Sequence, residues 1–337
     1  MDVKLAYLHG VLDEEIYMEQ PEGFIAQGEE DKVCRLVHSL YGLKQAGQVW
    51  NRTFAHTIKK KLCFDTIHSD VGVYVLHHHH KGGNSETDMI LILYVDDLLL
   101  LGEDLSKIHE IKQQLSKLYH MKDLGPASSY LGIRITRDRK KRFIMIDQQA
   151  YIENALKRFK LHDANNTKTP LPAGIHLEKS DLPATTETKT YYQLMIGTLI
   201  SATIGTRPDI AFTATRLSRY SNNPTEEHIK YTKHVLRYLK GTKELKNVYD
   251  GGLDARLIRY LDLDWGENRD DHHSTSGHVF LMANGAISWA SQRQKTVALS
   301  VVEAEYMELA STGKQAAWLR SFSGEIGYPS HGPTPLC

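Results

Sequence analysis

The chain has little cysteine, no long hydrophobic run and no excess charge of either sign, and each shortage excludes something. Cys34, Cys63 and Cys337 are the only cysteines in 337 residues. They form no CxxC pair and their number is odd, which speaks against a disulfide scaffold and for a reducing compartment. The longest apolar stretch, residues 89–101, is too short to span a bilayer, and Asp96-Asp97 cuts it in the middle. No basic segment followed by an apolar run opens the chain, so no signal peptide is predicted. These readings predict an intracellular protein, with no membrane partner. Lys and Arg number 41 against 41 Asp and Glu. Any nucleic-acid footprint must therefore come from local patches.

What is present is ordinary for a soluble globular protein: 41% hydrophobic and 24% charged residues, in a length that allows two or three domains. Residues 1–165 alternate short β-rich runs with helical spacing, an α+β pattern. Val71 to Leu76 and Met89 to Leu93 read as strands joined by a polar loop from His77 to Asp88. Leu105, Ile108, Ile111, Leu115 and Leu118 recur at helical spacing, and so do Tyr151, Ile152, Ala155, Leu156 and Phe159, with Asp147 as a cap just upstream. Residues 165–190, rich in Thr, Pro and Lys, read as a linker. Thr190 to Gly241 reads as helical throughout. Four strands follow, over Leu257 to Asp264, Gly277 to Met282, Ala286 to Ala290 and Val297 to Val301, then a helix from Val302 to about Phe322.

The sharpest local signal is Tyr94-Val95-Asp96-Asp97, flanked by Met89 to Leu93 and Leu98 to Leu101. Apolar runs on both sides imply a buried hairpin with two carboxylates at its tip. Adjacent carboxylates repel and resist desolvation unless a divalent cation neutralises them. A two-metal phosphoryl-transfer site uses such groups to hold its cations. The competing reading of the tetrapeptide alone is an ordinary Asp-Asp turn.

Longer segments decide between these. Asp2 to Phe24, with Leu8-His9-Gly10 and Ile16-Tyr17-Met18-Glu19-Gln20-Pro21-Glu22-Gly23-Phe24, is similar to the polymerase region of copia-type long-terminal-repeat retrotransposons. Ser39-Leu40-Tyr41-Gly42-Leu43-Lys44-Gln45-Ala46 resembles that family's template-and-nucleotide motif, although Gly47-Gln48 stands where the family usually has Pro-Arg. Asp123-Leu124-Gly125 and Tyr130-Leu131-Gly132-Ile133 resemble its primer grip. Gly205 to Ala211 and Val235 to Thr242 resemble the segment joining polymerase to nuclease. Leu261-Asp262-Leu263-Asp264-Trp265, Ser274 to Gly277, Ile287-Ser288-Trp289 and Val302-Glu303-Ala304-Glu305-Tyr306 resemble its ribonuclease H, with Gly266-Glu267-Asn268 and Lys295 as departures.

The resemblance implies a right-hand polymerase palm and thumb over residues 1–165, a linker and helical connection over 166–255, and an incomplete ribonuclease-H-like α/β domain over 256–337. It implies RNA-directed DNA polymerisation and hydrolysis of the RNA strand of hybrids. Mg²⁺ (or Mn²⁺) would be held by Asp2, Asp96 and Asp97 in one site and by Asp262 and Glu305 in the other. Tyr7 would sense the sugar 2′ position, and Gly42, Lys44, Gln45 and Tyr94 would contact nucleotide or template. Implied partners are an RNA template, a DNA primer, RNA–DNA hybrid and deoxynucleoside triphosphates, in a cytoplasmic particle or the nucleus. In that family fingers precede the first Asp, and a further catalytic Asp follows a Cys such as Cys337. The expectation is therefore of a chain in which neither activity is complete. The rival expectation is a non-catalytic remnant, or a nucleic-acid-binding module.

Three features read as bland. His77 to His80 read as an exposed loop, and Cys34 with His38, one helical turn apart, lack a second ligand pair. Lys230, Lys233, Arg237 and Lys240 form a basic stripe, equally a solvated face or a phosphate-contacting one.

Overall fold

A computed structural model of the chain describes residues 1–79, 85–264, 273–298, 300–330 and 332–335. It divides into two compact units, one comprising 1–127 with 318–329 and the other 128–317 with 330–337.

In the first unit the elements run β1 (Asp2–Val3), β2 (Val11–Glu19), β3 (Val33–His38), α1 (Ala46–Leu62), β4 (Asp65–Thr66), β5 (Val73–His79), β6 (Ser85–Tyr94), β7 (Asp97–Gly102), α2 (Leu105–Leu118) and β8 (Met121–Lys122). Six of these strands form one antiparallel sheet in the order β4-β5-β6-β7-β1-β8, and β2 with β3 forms a separate ribbon. Alternation along β5 and β6 sends Tyr74, Met89, Leu91 and Leu93 to one face, where they pack with Trp50, Phe54 and Ile58 of α1 and Ile111 and Leu115 of α2. Those α1 and α2 residues recur every three or four positions, the spacing that puts one stripe of a helix on a core. The opposite face carries Val73, Val75, Ile90 and Ile92, against which Phe322 and Ile326 pack. Asp104 caps α2 by accepting from the backbone N–H groups of Ser106 and Lys107.

The predicted loop at His77 is strand instead. His77, His78 and His79 continue β5, opposite Thr87, Glu86 and Ser85; His80 lies outside the described residues. Cys34 and His38 also sit on a strand, β3. Four residues of strand separate them by about 13 Å, too far for one ion.

The second unit contains β9 (Ser129–Tyr130), β10 (Ile133–Asp138), β11 (Phe143–Asp147), α3 (Gln149–Arg158), α4 (Thr186–Gly205), α5 (Ala211–Ser218), α6 (Glu226–Gly241), β12 (Asn247–Asp250), β13 (Ile258–Asp264), β14 (Thr275–Met282), β15 (Gly285–Arg293) and α7 (Val301–Glu325), the last eight residues of which, 318–325, belong to the first unit. Its sheets are β12-β11-β10-β9 and β13-β14-β15, both antiparallel. The helices α3 to α6 share a core of Ile152, Leu156, Tyr192, Met195, Leu199, Leu217, Val235, Leu236 and Leu239. Helicity from 190 to 241 is broken at Thr206–Ile210, where Pro208 opens a 3-10 turn, and between Ser218 and Glu226. Asp147 ends β11 and accepts from the Gln149 N–H at 3.1 Å while pairing with Arg134, so it serves the start of α3 as expected.

Two expectations change here. Val297 and Ala298 are not in a strand, and Val301 already belongs to α7. The reason is local: the Ser300 hydroxyl accepts from the Glu303 N–H at 3.1 Å, which favours helix initiation over extension. The linker is not free chain. Arg237 donates to the Asn165 carbonyl, Lys240 to the Ala164 carbonyl at 2.7 Å, and Tyr220 to the Leu177 carbonyl at 2.8 Å.

Candidate active site

The site in the first unit is built on the β6–β7 hairpin. Val95 takes a left-handed φ of 56°, so the chain reverses in a tight turn between Tyr94 and Asp97. That strained position is held from below, because the Trp50 indole N–H donates to the Val95 carbonyl at 2.6 Å. Trp50 is itself fixed by Phe54 and Tyr119, at ring-centroid distances of 5.4 Å each. The turn is therefore rigidly seated on α1.

β1 joins it from the start of the chain. Asp2 pairs across from Asp97, the Val3 N–H donates to the Asp96 carbonyl at 2.7 Å, and the Leu98 N–H donates to the Met1 carbonyl at 2.8 Å. Asp2 is thus brought beside the sequence-distant pair Asp96-Asp97. Burial pushes the Asp97 carboxyl up, and Asp96 and Asp2 push it further in the same direction. Among the described residues no three of His, Cys, Asp and Glu already close around a point that would hold an ion. The donor set, hard carboxylate oxygens alone, suits Mg²⁺ or Mn²⁺. The mutual repulsion felt at Asp97 is the kind that a bound cation relieves.

The other predicted residues are placed by their own elements. Tyr7 lies in the 3-10 turn Ala6–His9, which packs so closely on α1 that a Cβ on Gly10 would fall 2.8 Å from a Val49 methyl. Gly42 has φ 101°, a conformation that glycine adopts freely, and this explains the residue although open space surrounds it. Lys44 and Tyr94 are exposed. Gln45 precedes the first turn of α1 and donates to the Glu14 carboxylate at 3.4 Å. Tyr41, absent from the predicted set, packs against Tyr7 with ring centroids 4.5 Å apart. Burial, Asp96 and Tyr7 together push its hydroxyl up, so it shares the field of the carboxylates. Its place beside Gly42 in the motif was the available signal.

In the second unit Asp262 and Asp264 lie on β13, with backbones opposite Gly277 and Thr275; their side chains lie outside the described residues. Glu305 is exposed on α7. Three residues on, Glu308 is buried: its carboxylate lies 3.2 Å from His278 Nδ1 and accepts from the Thr312 hydroxyl at 2.7 Å. Burial pushes this carboxyl up, but hydrogen bonds from His278, Thr312 and Ser276 outweigh it and hold it low. Sequence reading passed over Glu308; its signal was a glutamate in the stripe Ala304, Glu308, Thr312, spaced by four like a buried helix face.

The chain's residues 1–173 match the family model for reverse transcriptase (RNA-dependent DNA polymerase). It is 43% identical over 333 residues to the retrovirus-related Pol polyprotein from transposon TNT 1-94 of Nicotiana tabacum, covering 97% of this chain and 24% of that one. It is 34% identical to the Pol polyprotein from transposon RE1 of Arabidopsis thaliana, covering 97% of this chain and 22% of that one. It is also 33% identical to a transposon Ty5-1 protein of Saccharomyces cerevisiae, covering 93% of this chain and 99% of that one. The chain belongs to the reverse transcriptase family. Within it, the relatives are Pol polyproteins of copia-type transposons, and the chain spans about a quarter of the length of the tobacco one.

Proposed function

We propose that the first unit is the palm of an RNA-directed DNA polymerase in which Asp2, Asp96 and Asp97 hold divalent cations. The cross-strand pairing of Asp2 with Asp97 carries this reading. When bound, the cations would activate a primer hydroxyl and stabilise the leaving phosphate. The chain's own part is to present the carboxylates on a hairpin fixed by Trp50, with Tyr7 beside them to test the sugar and Gly42, Lys44, Gln45 and Tyr94 toward template and triphosphate. We extend the reading to a thumb up to residue 165 and a connection over 166–255. Residues 256–337 would be a ribonuclease-H-like domain using Asp262 and Glu305 on RNA–DNA hybrid. Such a protein would work inside the cell, in a particle or the nucleus.

The test is calorimetry with Mn²⁺. Binding by the wild type that disappears in the Asp96→Asn, Asp97→Asn double variant is expected; equal binding by both would sink the assignment. A second reading, a non-catalytic remnant, is favoured by Gly47 and Gln48 in the nucleotide motif. Primer extension on an RNA template separates the two. Extension lost in Asp97→Asn supports the polymerase, and Mn²⁺ binding without extension supports the remnant.

A further inference from the structure

We infer that Tyr41 is a positioning residue for sugar discrimination: its ring braces Tyr7, so that the pair, rather than Tyr7 alone, decides between deoxyribo- and ribonucleoside triphosphates. The inference rests on the polymerase reading above and assigns a residue that this reading leaves without a role.

A side chain that senses a single hydroxyl works by occupying space, and it does so only if it cannot swing away. Displacements of about 1 Å at a reacting centre cost as much as a hundredfold. Tyr7 is poorly held on one side. A Cβ built on Gly47 would lie 3.8 Å from the Tyr7 hydroxyl, so at this position α1 offers the ring hydrogen rather than a side chain. Its base leans on the core cluster of the first unit. Among the described residues the one aromatic contact it makes is with Tyr41, centroids 4.5 Å apart and planes tilted by 44°.

Tyr41 is in turn oriented by its own chain. On the main-chain side, Gly42 at φ 101° fixes the direction in which the chain leaves Tyr41. Yet Tyr41 is 53% exposed, more than a purely structural aromatic needs to be, and its hydroxyl feels the charges of Asp96 and Asp2. Removing its ring takes away the wall behind Tyr7 and leaves the carboxylate hairpin, which hangs on Trp50, untouched.

The experiment uses the full chain with Mn²⁺ and compares calorimetric affinities for dATP and ATP. The wild type is expected to prefer dATP. In Tyr41→Ala that preference should fall by about tenfold, the ratio equivalent to a modest loss of packing, while Mn²⁺ affinity without nucleotide stays unchanged. Tyr41→Phe should keep the preference, because the ring and not the hydroxyl does the bracing. A Tyr41→Ala variant that still prefers dATP as the wild type does overturns the proposal. So does one that binds Mn²⁺ but neither nucleotide, since Tyr41 would then be a direct contact. Nucleotide binding that survives the Asp96→Asn, Asp97→Asn double variant overturns the polymerase reading itself and the proposal with it. A wild type that binds neither nucleotide does the same.

Discussion

Arg207 is 2% exposed, yet it is fully answered: it donates to both oxygens of Asp209 at 2.9 and 2.8 Å, to the Thr242 carbonyl at 3.0 Å and to the Thr242 hydroxyl at 2.6 Å. Tyr238 completes the cluster, donating to Asp209 at 2.9 Å while its ring lies 5.6 Å from the guanidinium. The two sequence motifs around 205–211 and 235–242 are therefore joined by one ion-pair network around a buried guanidinium. Removing the guanidinium leaves Asp209 and Thr242 without their donor, so Arg207→Ala should lose about 1–3 kcal/mol in urea denaturation. Arg207→Lys should recover little of it, because an ammonium does not reproduce the bidentate fork. Burial pushes the Asp209 carboxyl up, but the hydrogen bonds and charge of Arg207 hold it below the ordinary value. A depressed carboxyl contributes stability that is complete above about pH 4 and is lost as pH falls through its lower native value. Denaturation midpoints measured from pH 6 down to pH 2 should fall in the wild type below about pH 4. The fall should be smaller in Asp209→Asn, which starts less stable.

Among the elements, the hairpin and the helices were legible because their periodicity is strong. The apolar runs around Asp96-Asp97 gave β6 and β7, and the i, i+3, i+4 spacings gave α2, α3 and α6. The misses came where a single side-chain bond or a distant partner overrode composition. Histidines that look like a loop are ladder residues because Ser85 to Thr87 pair with them. Val297 and Ala298 look β-rich, but Ser300 starts a helix next to them. Tyr41 and Glu308 were hidden because their importance comes from neighbours supplied by folding, Tyr7 and His278. The basic stripe on α6 is the clearest case. Lys230 and Lys233 lie 5.6 and 5.7 Å from the rings of Tyr231 and Tyr191, and Arg237 and Lys240 hold the segment at Ala164 and Asn165. An Arg237→Ala, Lys240→Ala double variant should therefore release residues 163–170, seen as new cleavage there in limited proteolysis. Its effect on the salt slope of binding to a primer–template duplex should be less than one neutralised phosphate per charge removed, against a usual slope of about 0.7–0.9 each. Loss of the full slope with the segment still protected would contradict this.

For the molecule as a whole, 41 positive charges balance 41 negative ones. A chain without net charge lacks the self-repulsion that keeps proteins apart. Its solubility should pass through a minimum near neutral pH and rise on either side, which turbidity across pH 5 to 9 would reveal; a flat profile would show that local patches dominate. The division into two units also has an optical consequence. Of four tryptophans, Trp50 is buried under the Asp96-Asp97 turn, and Trp289 donates to the Thr203 carbonyl at 2.9 Å in the other unit. Each indole is a built-in lamp for its own unit. Paramagnetic Mn²⁺ arriving at the carboxylates should dim Trp50 emission, so the part of the quenching that Trp50→Phe abolishes reads out occupancy of the carboxylate site.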